Sequence, residues 1–234
     1  MKSPRTSGRR LGVLCLAHLI FGLTTPYIML QQLSRPKSLA ATTTVSGFQV
    51  RLAVMLLFVG GALTIAIAVT GWPIFRDHAR ALGMWVLVLA TANFALQCIE
   101  IAGYMTMFSF SQEYATALTQ NVAANTAAFD AVGVAVRQAW KWTHYSHLLV
   151  MVSWMLLLFA TLWRTAAVPK LLAGLAILTA LMQITGITLP QFIPYPTPPG
   201  TVMGMPLAFA YVALAIWLMV KGVEDRSRSA SDAT

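Results

Sequence analysis

Residues Ala81–Met107 read ALGMWVLVLATANFALQCIEIAGYMTM, an apolar run with a single formal charge, Glu100. Coiled as an α-helix rising ~1.5 Å per residue, this run reaches about 40 Å, more than the ~30 Å hydrocarbon core of a bilayer. It therefore reads as a membrane span. Within it, Asn93, Gln97, Glu100 and Tyr104 are separated by four, three and four residues, which stacks them on one helical face. A carboxylate and two amides at bilayer depth are costly against lipid, so that face turns toward a bundle interior. A span with a polar side requires other helices around it.

The rest of the chain supplies them. Of 234 residues 58% are hydrophobic and only 10% charged, with a mean hydropathy of +0.70, against roughly 25% charged residues in a soluble domain. Further apolar runs lie near Leu11–Gln31, Leu52–Pro73, Tyr145–Trp163, Leu171–Leu189 and Pro206–Val220. With Ala81–Met107 they make six spans. The fold expected is thus all-α, a polytopic membrane helix bundle. The first run follows Lys2, Arg5, Arg9 and Arg10 as a secretory signal would, but no small-x-small cleavage pattern follows, and it is read as a retained span. Cys15 and Cys98 both fall inside apolar runs, which argues against a disulfide framework or a cysteine-rich metal site.

The basic excess, 16 Lys plus Arg against 7 Asp plus Glu, is scattered between the spans rather than clustered as a nucleic-acid surface requires, and no nucleic-acid partner is expected. It sets topology instead. Lys2, Arg5, Arg9, Arg10, Arg76, Arg80, Arg164, Lys170, Lys221, Arg226 and Arg228 fall on one side, against Arg35, Lys37, Arg51, Arg137 and Lys141 on the other. By the positive-inside rule the first side, carrying both termini, is cytoplasmic. Trp72, Trp163 and Trp217 sit just ahead of Arg76, Arg164 and Lys221, as interfacial tryptophans do, and Trp140 and Trp142 mark the outer boundary. This divides the chain into a basic tail 1–10, a transmembrane domain 11–223 and a tail 224–234. Outer loops are expected near 32–51, 109–141 and 190–205. The stretch between Ser109 and Lys141 has no proline, and is read either as a helix lying on the membrane or as an outward extension of the fourth span. Pro194, Pro196, Pro198 and Pro199 preclude a helix in the last outer loop.

Counting ~1.5 Å per residue places Thr25, Glu100 and Gln183 about 10 Å below the outer boundary, a depth His147 also enters. The expected ligand site is accordingly Asn93, Gln97, Glu100, Tyr104, His147, Gln183 and Thr25. The alternative for the same residues is a purely packing role, their amide and carboxyl groups bridging neighbouring helices. His144 and His147, three apart on one face, raise a second possibility, cofactor binding in a membrane redox subunit or enzyme that holds quinone or haem. Too few further ligands accompany them for a metal site, and none is assigned. Cys15, His18, Gly22 and Thr25, spaced by three, four and three, read as a packing seam, and Gly60-Gly61 as a close helix contact. Pro26 is expected to kink the first span, with Thr24 compensating for the lost amide. No glycine-rich phosphate loop, His-Glu-x-x-His or Gly-x-Ser-x-Gly occurs, so no catalytic residue is assigned.

Several short motifs together resemble a bacterial family of six-span membrane proteins defined only as a domain of unknown function. They are the opening Leu11-Gly12-Val13-Leu14, the helix His144–Arg164 ending in Leu-Trp-Arg, the turn Val168-Pro169-Lys170-Leu171-Leu172 followed by Gly174, and the closing Ile216-Trp217-Leu218-Met219-Val220-Lys221-Gly222-Val223. The chain departs from the family in its Pro-Lys-Leu-Leu-Ala-Gly turn, where Pro-Arg-x-Leu-Gly is usual, and in lacking an acidic residue in the last span. The resemblance implies a bacterial inner-membrane home and this architecture, and carries over no catalytic residue. From the residues the expected role is non-catalytic: binding or moving a small ligand through an outer-half polar pocket, or serving as a subunit beside a membrane-protein partner.

Overall fold

A computed structural model describes residues 4–34, 42–119, 126–193 and 199–223. Lys2, Arg35, Lys37, Pro194, Pro196, Pro198, Arg226 and Arg228 lie outside the described residues, as do the start of the basic tail 1–10, parts of the three expected outer loops and the tail 224–234.

Seven α-helices are described: α1 (Pro4–Thr24), the short α2 (Gln31–Ser34), α3 (Gly47–Phe75), α4 (Arg80–Thr119), α5 (Thr126–Thr165), α6 (Lys170–Thr188) and α7 (Pro199–Lys221). Among the described residues there is no strand. All but α2 contain segments long and apolar enough to cross a membrane, so the chain is a six-span, multi-pass membrane protein. Ile20, Phe48, Met55, Trp85, Val88, Leu178, Phe209 and Ile216 are large, apolar and exposed along the spans. In water such a surface would drive association; in a bilayer it is the lipid contact.

Apolar length alone understates three helices. α7 begins at Pro199, seven residues before the expected span and inside the loop where the prolines were expected to preclude a helix. A proline in a helix's first turn gives up an amide that has no intrahelical partner anyway. α4 and α5 are 40 residues each, about 60 Å, twice the ~30 Å apolar thickness. Both continue beyond the apolar runs, α4 to Thr119 and α5 from Thr126, across much of the stretch where a surface helix was one of two expectations. The reason is local: residues 108–119 and 128–141 contain no proline and keep good helix formers, and Phe129 packs its ring on Phe110 and Tyr114 at 5.8 and 5.4 Å.

At Pro26 the first span passes through a π-helical turn, Thr25–Met29. Proline lacks the amide that an α-turn would use, and the wider i→i−5 pattern is taken up by Leu30, whose N–H donates to the Thr25 carbonyl at 3.0 Å. Thr24 donates its hydroxyl to the Ile20 carbonyl at 2.6 Å.

The chain divides into two compact units. One comprises the chain to Leu19, Ala62–Asn93 and Leu148 onward. Its buried centre includes Trp154, Phe159, Leu162, Tyr211, Leu214 and Leu218. Tight turns join α3 to α4, where the Ala79 N–H donates to the Phe75 carbonyl at 2.8 Å, and α5 to α6, where Ala166 takes a left-handed φ of 47° and Pro169 precedes α6. Within this unit α1 lies so close to α7 that a Cβ on Gly12 would fall 2.7 Å from both the Ala215 carbonyl oxygen and the Met219 nitrogen. Between helices in lipid no hydrophobic force operates, and close approach through small residues replaces it.

The other unit comprises Ile20–Gly61 and Phe94–His147. Leu30, Leu33, Val45, Val50, Ala53, Leu57, Tyr104 and Met107 form its core, with Val136 and Trp140 of α5 packed against them. Gly61 of α3 faces Phe94 and Gln97 of α4, where a Cβ would meet Phe94 at 2.9 Å. The expected seam on α1 is only partly so used: Cys15, His18 and Thr25 are buried, but Gly22 faces open space. A helical spacing marks a stripe and leaves the width of the neighbouring helix undetermined.

Candidate functional site

In the unit built on Ile20–Gly61 and Phe94–His147, α4 presents Glu100 to α5. Its carboxylate is 3% exposed, and each oxygen holds one imidazole: His144 Nδ1 lies 2.8 Å from Oε1 and His147 Nδ1 2.5 Å from Oε2. The spacing explains the fork. Residues three apart on a helix project side by side, so two histidines reach the two oxygens of one carboxylate. An ionised carboxylate only accepts. Each histidine then carries its Nδ1 hydrogen toward Glu100, and its Nε2 faces away from it.

The two imidazoles differ in surroundings. His147 is buried, and its Nε2 has no partner among the described residues. His144 is partly exposed and lies flat on the Trp140 ring, centroids 5.0 Å apart and planes 16° apart. Tyr104 tilts against the other partner of that contact, Trp140, at 5.2 Å. Gly103 admits the indole: a Cβ there would come within 3.0 Å of Trp140 Cδ1. Buried orphan polar atoms are uncommon in folded proteins and call for an explanation. In this unit His147 Nε2, Trp140 Nε1 and Thr25 Oγ1 are three of them.

An imidazole anchored through Nδ1 to a carboxylate, with Nε2 turned elsewhere, has a fixed tautomer and a fixed direction. It can accept a hydrogen bond, donate one when protonated, pass a proton, or ligate a metal through Nε2. Among the described residues no group of three or more His, Cys, Asp or Glu has the arrangement of a metal site.

The polar stripe of α4 is buried throughout: Asn93, Gln97, Glu100 and Tyr104. Of the residues expected at the ligand site, Glu100 and His147 are in direct contact, Tyr104 joins through Trp140, Gln97 packs at Gly61, and Thr25 is buried in the same unit. Asn93 and Gln183 belong to the other unit. There both polar side-chain atoms of Asn93 and Oε1 of Gln183 are buried without a partner among the described residues, and Gln183 packs beside Gly204. His144, assigned by spacing only to the cofactor reading, is the residue that sequence reasoning left off Glu100. The signal was present as a single intramembrane acid and two histidines on one face.

No curated protein and no solved structure matches this chain. A family model does match over residues 11–222, from the start of α1's apolar run to the glycine that ends α7. The six spans and the carboxylate–histidine fork thus sit inside one family domain, and the chain belongs to the family described as Domain of unknown function (DUF4386).

Proposed function

We propose that this chain is a bacterial inner-membrane protein, both termini cytoplasmic, that binds or moves a small ligand at the Glu100–His144–His147 cluster in the outer half of the bundle. One observation carries the reading: a buried carboxylate spends both oxygens on aiming two imidazoles, and the more buried one keeps Nε2 unpartnered. Packing alone would be served by apolar residues without the cost of burying these groups. Gln97, Tyr104 and Thr25, in the same unit as the cluster, are assigned to the ligand's polar surroundings; Asn93 and Gln183, in the other unit, are not. A role as a subunit of a membrane complex is compatible with the same site, the partner then supplying the ligand.

The test is retention. Native mass spectrometry of the protein with lipids and small molecules kept should detect a bound species that Glu100→Gln loses while the variant stays folded. Glutamine keeps one acceptor but offers an amide donor in place of the second, so one imidazole must turn its proton toward Nε2. Equal retention by the wild type and Glu100→Gln would leave the fork as packing alone and end this reading.

The carboxylate-held Nδ1 also favours a second reading, because haem-ligating and metal-ligating histidines are commonly held this way. An absorbance scan of the purified protein separates the two, since haem alone gives a Soret band. The topology has its own check: a reporter after Thr234 should report the cytoplasm and one near Asn125, outside the described residues, the opposite side. A cytoplasmic signal from Asn125 would contradict six spans with this orientation.

A further inference from the structure

Beside the fork, between α4 and α5, runs an open groove of about 170 Å³, lined by Ile99, Gly103 and Thr106 on one helix and Ala139, Trp140 and Thr143 on the other. Its rim is exposed: Ile99 is 52% exposed, and Thr106 and Ala139 are exposed as well. The volume falls short of the ~300–1,000 Å³ that encloses a whole drug-sized molecule. It accommodates one ring or a short length of chain.

Trp140 belongs to both places. Its indole forms part of the groove wall and lies parallel to the His144 imidazole, a flat aromatic surface of the kind on which planar rings stack. The absence of a side chain at Gly103 lets the indole approach α4 closely there. The groove's own hydroxyls are spent as donors, Thr106 on the Ala102 carbonyl at 2.9 Å and Thr143 on the Trp140 carbonyl at 2.8 Å. The remaining donor in the lining, Trp140 Nε1–H, is buried, so the groove's accessible surface offers little to a polar solute, and an apolar body would lose nothing there. Oxygen chemistry is supplied next door by the imidazoles. A neutral histidine held at Nδ1 accepts from a hydroxyl at Nε2, and a protonated one donates to a carbonyl.

Resting on the ligand reading above, we infer that the ligand is a membrane-dissolved molecule of the quinone class, an oxygen-bearing flat ring on an apolar chain, which reaches the Glu100–His144–His147 cluster sideways from the bilayer through the α4–α5 groove. The inference concerns binding and route, and no electron transfer is part of it.

The experiment uses the full chain in phosphatidylcholine nanodiscs, titrated with a short-chain alkyl benzoquinone and read by tryptophan quenching and by native mass spectrometry. Saturable binding is expected, weakened about tenfold or more, ~1.4 kcal/mol, by Thr106→Leu/Ala139→Leu and likewise by Glu100→Gln. The leucines replace exposed residues and fill the groove; should that pair fail to fold, Thr106→Phe alone narrows it. If the groove-filled protein binds the quinone like wild type while Glu100→Gln does not, the sideways route is refuted and the site reading stands. Displacement by a ring-free alkyl amphiphile at the same concentration refutes the ring specificity and leaves an acyl chain as occupant. A wild type that ignores the quinone but retains another species through Glu100 refutes the ligand class only.

Discussion

Glu100→Leu should destabilise the folded protein by about 2 kcal/mol, within the ~1–3 kcal/mol cost of stranding a buried hydrogen-bonding group. The direct worth of an interhelical hydrogen bond in a membrane averages only ~0.6 kcal/mol, so most of the effect comes from what is left behind. His147 would keep a buried Nδ1 hydrogen with no acceptor, in addition to its orphan Nε2. His144, being partly exposed, can turn away and contributes little. Adding His147→Leu should therefore restore most of the loss, a non-additivity that a double-mutant cycle measures in mild detergent by reversible unfolding. If the double variant is no more stable than Glu100→Leu, the two groups do not depend on one another and the fork has been misread.

A larger effect is expected at Gly12→Leu. The obstructing atoms are main-chain, the Ala215 oxygen and Met219 nitrogen, and no rotamer relieves a Cβ placed 2.7 Å from both. α1 must lift off α7, losing the close contact that holds helices together in lipid; the cost should exceed the ~1–3 kcal/mol usual for overpacking. The monodisperse fraction on size-exclusion chromatography should collapse. Gly22→Leu, on the same helix but facing open space, is the control and should change stability by less than ~0.5 kcal/mol. Equal behaviour of the two variants would show that α1 does not depend on this contact.

The six spans were legible because a bilayer imposes length and apolarity on every crossing segment, and the buried stripe of α4 because helical periodicity converts spacing into a face. Helix ends were less legible. Hydropathy locates the end of an apolar run, whereas a helix ends where its backbone does, and α4 continues to Thr119 on helix propensity and on Phe110 and Tyr114 packing with Phe129. Pairing was the least legible. Glu100 and His144 are 44 residues apart, and nothing periodic reports which faces of two helices meet. Depth counting grouped Glu100 with Thr25, His147 and Gln183, but depth is one coordinate of three. Of these only His147 is hydrogen-bonded to the carboxylate, and Gln183 is in the other unit.

Two attachment points on one carboxylate also act as a mechanical clasp. A single bond between rods would let α5 pivot about it; a second, one helical turn along the same rod, fixes rotation and axial register together. Sliding α5 by one turn would bring one imidazole to the other's oxygen and strand the second, so the native register is the one that keeps both bonds. A molecule that loosens either imidazole would leave the other as a lone pivot, freeing α5 to rotate while the two helices stay joined.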